Sequence, residues 1–186
     1  MKEQVPKAET TVFTIGHSTR TLEEFINLLK IHGVQVVVDV RTIPGSRYAS
    51  QFNRETLKNS LETAGIKYDH MPSLGGLRRA LKNSQNTGWR NLTFRGFADH
   101  MQTEEFRKSL EELVLQARKE KVALMCAEAV PWRCHRSLIA DALTVQGINV
   151  DHILSANNVQ IHKVTPWART IGTRVSYPPP TKPKKT

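Results

Sequence analysis

Residues 35–40 read QVVVDV, a β-branched run whose apolar character does not alternate. A half-exposed strand shows period-two patterning, whereas an unbroken run suits a strand covered on both faces, the habit of parallel sheets. A chain carrying such a strand must also supply helices to cover it. Residues 12–15 form a first apolar run, closed by Gly16. Thr21 and Glu24 have capping-box spacing, Leu22, Phe25, Ile26 and Leu29 follow at helical intervals, and Gly33 ends the pattern. Asn53 is placed to cap a second helix with Leu57, Leu61 and Ala64 on one side and Gly65 as its stop. Residues 67–71 make a weaker strand. Thr103 starts the clearest helix, acidic at Glu104 and Glu105, basic at Arg118 and Lys119, with an apolar stripe from Phe106 to Ala117. Residues 122–126 (VALMC) and 149–154 are the remaining strands, joined by a helix from about His135 to Gln146. Residues 72–97 have no clear period and read as an irregular excursion or a short helix. Strands alternating with helices predict right-handed crossovers and an α/β fold, a single domain on a mostly parallel sheet with helices on both faces.

The 186 residues, 39% of them hydrophobic, suit one domain, expected over 11–176 between a flexible segment 1–10 and a disordered Pro/Lys-rich tail 177–186. No run approaches the roughly 18 apolar residues of a membrane span, and the opening MKEQVPKAET lacks the apolar stretch of a secretory signal. The expectation is a cytoplasmic protein with no membrane partner, in which Cys126 and Cys134 are thiols. Of the net charge of +10, the tail carries Lys182, Lys184 and Lys185. Between Asp69 and Asp99 the chain has no acid, only Arg78, Arg79, Lys82, Arg90 and Arg95 interleaved with Trp89 and Phe94. That stretch reads either as a face for an anion or nucleic acid or as a solvated basic loop.

Three expected strands end in chemically capable residues. Gly16, His17 and Ser18 follow the first, Asp39 and Arg41 end the second, and Cys126, Glu128, Cys134, His135 and Arg136 follow the fourth. In a parallel sheet these groups converge on one carboxyl edge, where open α/β sheets bind ligands. Each has a plainer role open to it: His17 as a turn residue, Asp39 and Arg41 as a buried ion pair, Cys126 as a small buried side chain. Glu128 is harder to dismiss, because a carboxylate leaving a buried strand needs a partner.

Residues 126–136 (CAEAVPWRCHR) lead from a strand to a helix start, where free N–H groups beside Arg133 and Arg136 favour an anion and would acidify a thiol. The phosphatase loop C-x5-R does not fit, since Trp132 stands where its arginine belongs. A metal bound by Cys126, Cys134, His135 and His17 is not expected, because adjacent Cys134 and His135 should point apart and no C-x2-C or H-x3-H pair occurs. No cofactor is expected either.

The chain resembles the uncharacterised family known as domain of unknown function 488. The likeness runs through Thr14-Ile15-Gly16-His17-Ser18, Val38-Asp39-Val40-Arg41 with Pro44 and Ser46, Leu74-Gly75-Gly76, Arg95-Gly96-Phe97-Ala98-Asp99-His100-Met101 and Cys126-Ala-Glu128…Cys134-His135-Arg136. It spans about residues 12 to 154. The resemblance implies the α/β fold and the pocket but no reaction. Two functions follow from the residues. One is an enzyme for an anionic small molecule, nucleotide or nucleic acid. In it Cys126 or Cys134 is the nucleophile, Glu128 and His17 transfer protons, and Asp39, Arg41, His135 and Arg136 bind substrate. The other is a non-catalytic nucleic-acid-binding or regulatory module using the basic stretch and tail.

Overall fold

A computed structural model describes residues 10–179. β1 (Thr11–Gly16), β2 (Val36–Asp39), β3 (Lys67–His70), β4 (Val122–Cys126), β5 (Asn149–Ser155) and β6 (Asn158–Ile161) form one sheet in the order β3-β2-β4-β1-β5-β6. Every pairing among β1 to β5 is parallel, and β6 runs antiparallel to β5 at the edge. β7 (Arg169–Ile171) and β8 (Arg174–Ser176) make a separate antiparallel ribbon.

The unbroken apolar strands are covered on both sides, as their composition requires. Val37, Ala123, Met125 and Ile15 face α1 (Leu22–Ile31) and α2 (Arg54–Thr63) through Phe25, Leu29, Leu57 and Leu61. Val36, Val38, Val122 and Leu124 belong to the opposite core, which contains Phe97 of α3 (Leu92–His100), Leu110 and Leu113 of α4 (Glu104–Ala117), and Leu138 and Ile139 of α5 (Arg136–Val145).

β1 to β5 and four of the helices lie where their sequence signals put them. The capping box at Thr21 is made in both directions, with Glu24 N–H on Thr21 Oγ1 at 3.1 Å and Thr21 N–H on the Glu24 carboxylate at 2.8 Å. Asn53 stands at the start of α2 but does not cap it through its side chain. Its Oδ1 instead takes the Ser46 N–H at 2.7 Å and pins the loop after β2. α4 stops at Ala117, so Arg118 is its cap rather than part of its last turn. The stretch 72–97 conceals α3, whose signal is diluted by Gly96. That glycine is buried mid-helix where the backbone of Arg78 and Arg79 crosses too closely for a Cβ. The short β6 and β7 are exposed and β8 buries only Val175, so none carried an apolar run to reveal it.

The expected tail does not begin at Tyr177. That ring is fully buried, its O–H donates to Asp141 at 2.7 Å, and its N–H donates to Asn86 Oδ1 at 2.8 Å. Thr10 is docked as well, its carbonyl accepting from Asn149 N–H at 3.0 Å. The rest of the expected flexible ends, 1–9 and 180–186, lies outside the described residues. Among the described residues no helix is long and apolar enough to cross a membrane.

Candidate active site

The crossover helix after β1 packs on one face of the sheet and the one after β4 on the other, although β1 and β4 are neighbours. That reversal opens a crevice at their carboxyl ends, where open α/β sheets place ligands. The two loops that leave it are tied together: His17 N–H donates to Cys126 O at 3.0 Å and Ser18 N–H to Ala127 O at 2.8 Å. Gly16 allows the contact, because a Cβ there would collide with the Glu128 carbonyl.

Beside the crevice is a cavity of about 270 Å³ lined by Arg41, Cys126, Glu128, Arg133, Cys134 and His135, with Thr42, Ile43, Gly76, Leu77 and Phe94 completing its wall. Five of the eight residues singled out from sequence therefore meet in one cavity. The other three, His17, Asp39 and Arg136, are buried and do not line it. Arg133, read from sequence only as a flank of the anion-favouring helix start while Arg136 was given the substrate role, is the arginine exposed on the wall.

Cys134 and His135 do not point apart. Cys134 is extended, with φ −131° and ψ 145°, and the helix proper begins only after His135. The usual helical turn between neighbours is thus absent, and Cys134 Sγ comes to 3.6 Å from His135 Nδ1. Cys126 Sγ reaches the same nitrogen at 4.0 Å. On its far side His135 Nε2 lies 3.1 Å from the Val40 carbonyl. Only an N–H can meet a carbonyl, so in the neutral ring Nδ1 is the lone-pair nitrogen and faces both sulfurs. Gly76 packs on this ring, since a Cβ there would stand 2.5 Å from Nδ1.

The two thiols share their protons unequally. Hydrogen bonding from Cys126 holds Cys134 well below the ordinary thiol range, helped by His135 and Arg136 and opposed by burial. The same hydrogen bond, and then burial, pushes Cys126 up.

Behind the thiols, Arg136 is 1% exposed. One Nη donates to Thr14 Oγ1 at 3.1 Å, the other to the Glu128 carbonyl, while Nε has no partner among the described residues. Among the described residues no carboxylate forms an ion pair with it. Thr14 in turn touches His152 Nδ1 at 2.7 Å, His152 Nε2 touches His162 Nδ1 at 3.0 Å, and His162 Nε2 reaches Asp141 at 2.8 Å. Donors and acceptors match when each group donates toward Asp141, and His152 is then neutral. Burial first, and then the neighbouring His162, push His152 down to about 3. Sequence reading missed this chain, although a histidine in the middle of a strand was a signal.

Arg41 forms a buried pair with Asp39, and His17 stacks on Phe52 with ring centroids 4.3 Å apart. Burial lowers the His17 pKa. Within the basic stretch, Arg78 is spent on the carbonyls of Pro72, Ser73 and Gly75, and Arg95 on that of Trp89. Arg79, Lys82 and Arg90 are exposed.

Fold and pocket together define a single-domain α/β protein of the open, doubly wound kind with a cavity at its strand ends. The chain belongs to the family described as Domain of unknown function DUF488, which matches residues 21–143, and so most of the chain, including Asp39, Arg41 and the segment 126–136. No curated protein and no solved structure matches it.

Proposed function

We propose that the cavity beside the β1–β4 crevice is the active site of an enzyme acting on an anionic substrate, a phosphorylated metabolite or nucleotide. Cys126, Cys134 and His135 form the reactive centre, Glu128 transfers protons, and Arg133 and Arg41, which line the cavity, meet the substrate's charge. Asp39, His17 and Arg136 hold these groups in place. One observation carries the reading: two thiols and an imidazole share a point on the cavity wall in front of a buried guanidinium that, among the described residues, has no carboxylate partner. A buried charge without a partner is costly, so an anion nearby is favoured. A cytoplasmic setting, which keeps thiols reduced, fits the same reading.

A non-catalytic nucleic-acid module is the second reading. It is favoured by a neighbouring cavity of about 290 Å³ where Trp89, Trp132, Trp167 and Lys163 offer stacking faces and a cation. Phosphate at constant ionic strength separates the two. The enzyme reading expects phosphate to raise the melting temperature more than chloride does, to slow alkylation of the thiols, and to lose both effects in Arg133→Ala. The module expects neither, and single-strand binding that falls steeply with salt.

A further inference from the structure

We propose that Cys126, Cys134 and His135 are the ligands of a thiophilic divalent metal ion of the zinc class, with a fourth position open to the cavity. The three ligand atoms lie within 4.8 Å of one another. A tetrahedral zinc about 2.3 Å from sulfur and 2.0–2.1 Å from nitrogen sets sulfur and nitrogen about 3.5–3.6 Å apart. The separations here are 3.6 Å for Cys134 and 4.0 Å for Cys126, so a small closure of Cys126 completes the set. A pair of thiols awaiting a disulfide would give the imidazole no part, whereas here its lone pair faces both sulfurs. His135 is also built as a ligand. Its other nitrogen is fixed on the Val40 carbonyl, the outer partner that orients metal-bound imidazoles, and Gly76 leaves the ring no room to turn. Two sulfurs and one imidazole select against magnesium and calcium, which take oxygen ligands.

Three protein ligands with an open position is the pattern of catalytic rather than structural zinc. Charge points the same way. Two thiolates neutralise a divalent ion, and the buried Arg136 then leaves the centre with one excess positive charge. A hydroxide or a substrate oxyanion in the fourth position cancels it. Glu128 lines the cavity two residues beyond Cys126. The ligand-x-Glu spacing is the one by which zinc deaminases set a glutamate beside metal-bound water. With a metal bound, Glu128 would be placed to take a proton from water at the open position.

The role given to the open position rests on the active-site reading above; the metal site is tested separately. The full chain, stripped with chelator and titrated with cobalt(II), should bind about one ion per chain and develop the thiolate-to-cobalt charge-transfer absorption of a sulfur-ligated tetrahedral site. Cys126→Ser and Cys134→Ser should each lose that absorption, His135→Gln should weaken binding, and His32→Gln, where the native ring nitrogen meets the Ser155 carbonyl, should retain both. If the serine variants do not fold, mercurial titration of the wild-type thiols must release the ion. Wild type without the charge-transfer band, or a band that survives Cys134→Ser, overturns the site. Phosphate separates the two readings. If the cobalt band is absent but phosphate still stabilises through Arg133, only the metal site falls. If the band is present and phosphate has no effect, the metal site stands and the anionic-substrate reading falls.

Discussion

Arg41 meets Asp39 fork to fork, Nε lying 2.9 Å from one carboxylate oxygen and Nη2 2.6 Å from the other. Tyr68 O–H adds a bond to the same carboxylate at 2.8 Å, and the Phe52 carbonyl takes Arg41 Nη2 at 2.8 Å. The pair therefore fixes the end of β2, and the remaining Nη1 of Arg41 lies 3.4 Å from His17 Nε2. Asp39→Ala strands a buried guanidinium and should cost about 3–5 kcal/mol, the range for breaking a buried pair from one side. Urea unfolding checks this. A loss below about 1 kcal/mol would be the value of a surface pair and would contradict the burial.

Gly76 should be as sensitive as any residue that touches ligand. In Gly76→Ala the new Cβ would press on the His135 ring at 2.5–3.0 Å, and the ring must leave the Val40 carbonyl. Overpacking of this kind costs about 1–3 kcal/mol. A crystal structure of the variant should show His135 displaced from both sulfurs. An unmoved ring would mean that the backbone at Gly75 and Gly76, not the side chain, gives way — a loop held by Thr42 Oγ1 on the Leu77 N–H at 3.3 Å.

His152 makes stability depend on pH. Its folded pKa of about 3 lies below the ordinary 6.5, so the unfolded chain takes up a proton first as pH falls. The contribution is complete above about 6.5 and declines from there down to about 3, at no more than about 1.4 kcal/mol per pH unit for each such histidine. Thr14, His162, Arg136, Asp141 and Cys134 are the groups that act on it; Arg136 and His162 disfavour its protonation, Asp141 and Cys134 favour it. Burial gives His17 and His100 the same sign. Unfolding free energy should fall between pH 6.5 and 4, and His152→Gln should flatten the slope. An unchanged slope would assign the effect to the other two.

Much of this was legible in the sequence because it depends on local signals. The run at 35–40 demanded cover on both faces, Thr21 with Glu24 marked a helix start, and chemically able residues at strand ends marked the carboxyl edge. What was hidden depends on distant contacts. Gly96 disguises α3 because its neighbour is the backbone of Arg78. Tyr177 looked like the start of a proline-rich tail because its partner, Asp141, lies 36 positions away. Cys134 and His135 share a target only because the backbone is extended at one and helical at the next.

Arg133 and Arg136 should separate cleanly. The sequence pointed to Arg136 as the principal contact of an anion, but its guanidinium is enclosed and engaged by Thr14 and Glu128, while Arg133 is exposed on the cavity wall. Arg133→Ala should leave stability within about 0.5 kcal/mol of wild type, as surface substitutions usually do, and abolish the stabilisation by phosphate. Arg136→Ala removes two hydrogen bonds from a charged donor, each worth about 1.5–3 kcal/mol, and unpins the Thr14–His152 chain. It should therefore lower the melting temperature strongly before any ligand is added. Differential scanning calorimetry of both variants, with phosphate and with chloride at equal ionic strength, reads the two effects together. If Arg136→Ala melts like wild type and loses the phosphate increment while Arg133→Ala keeps it, the anion reaches the buried guanidinium directly and the roles given to the two arginines are reversed.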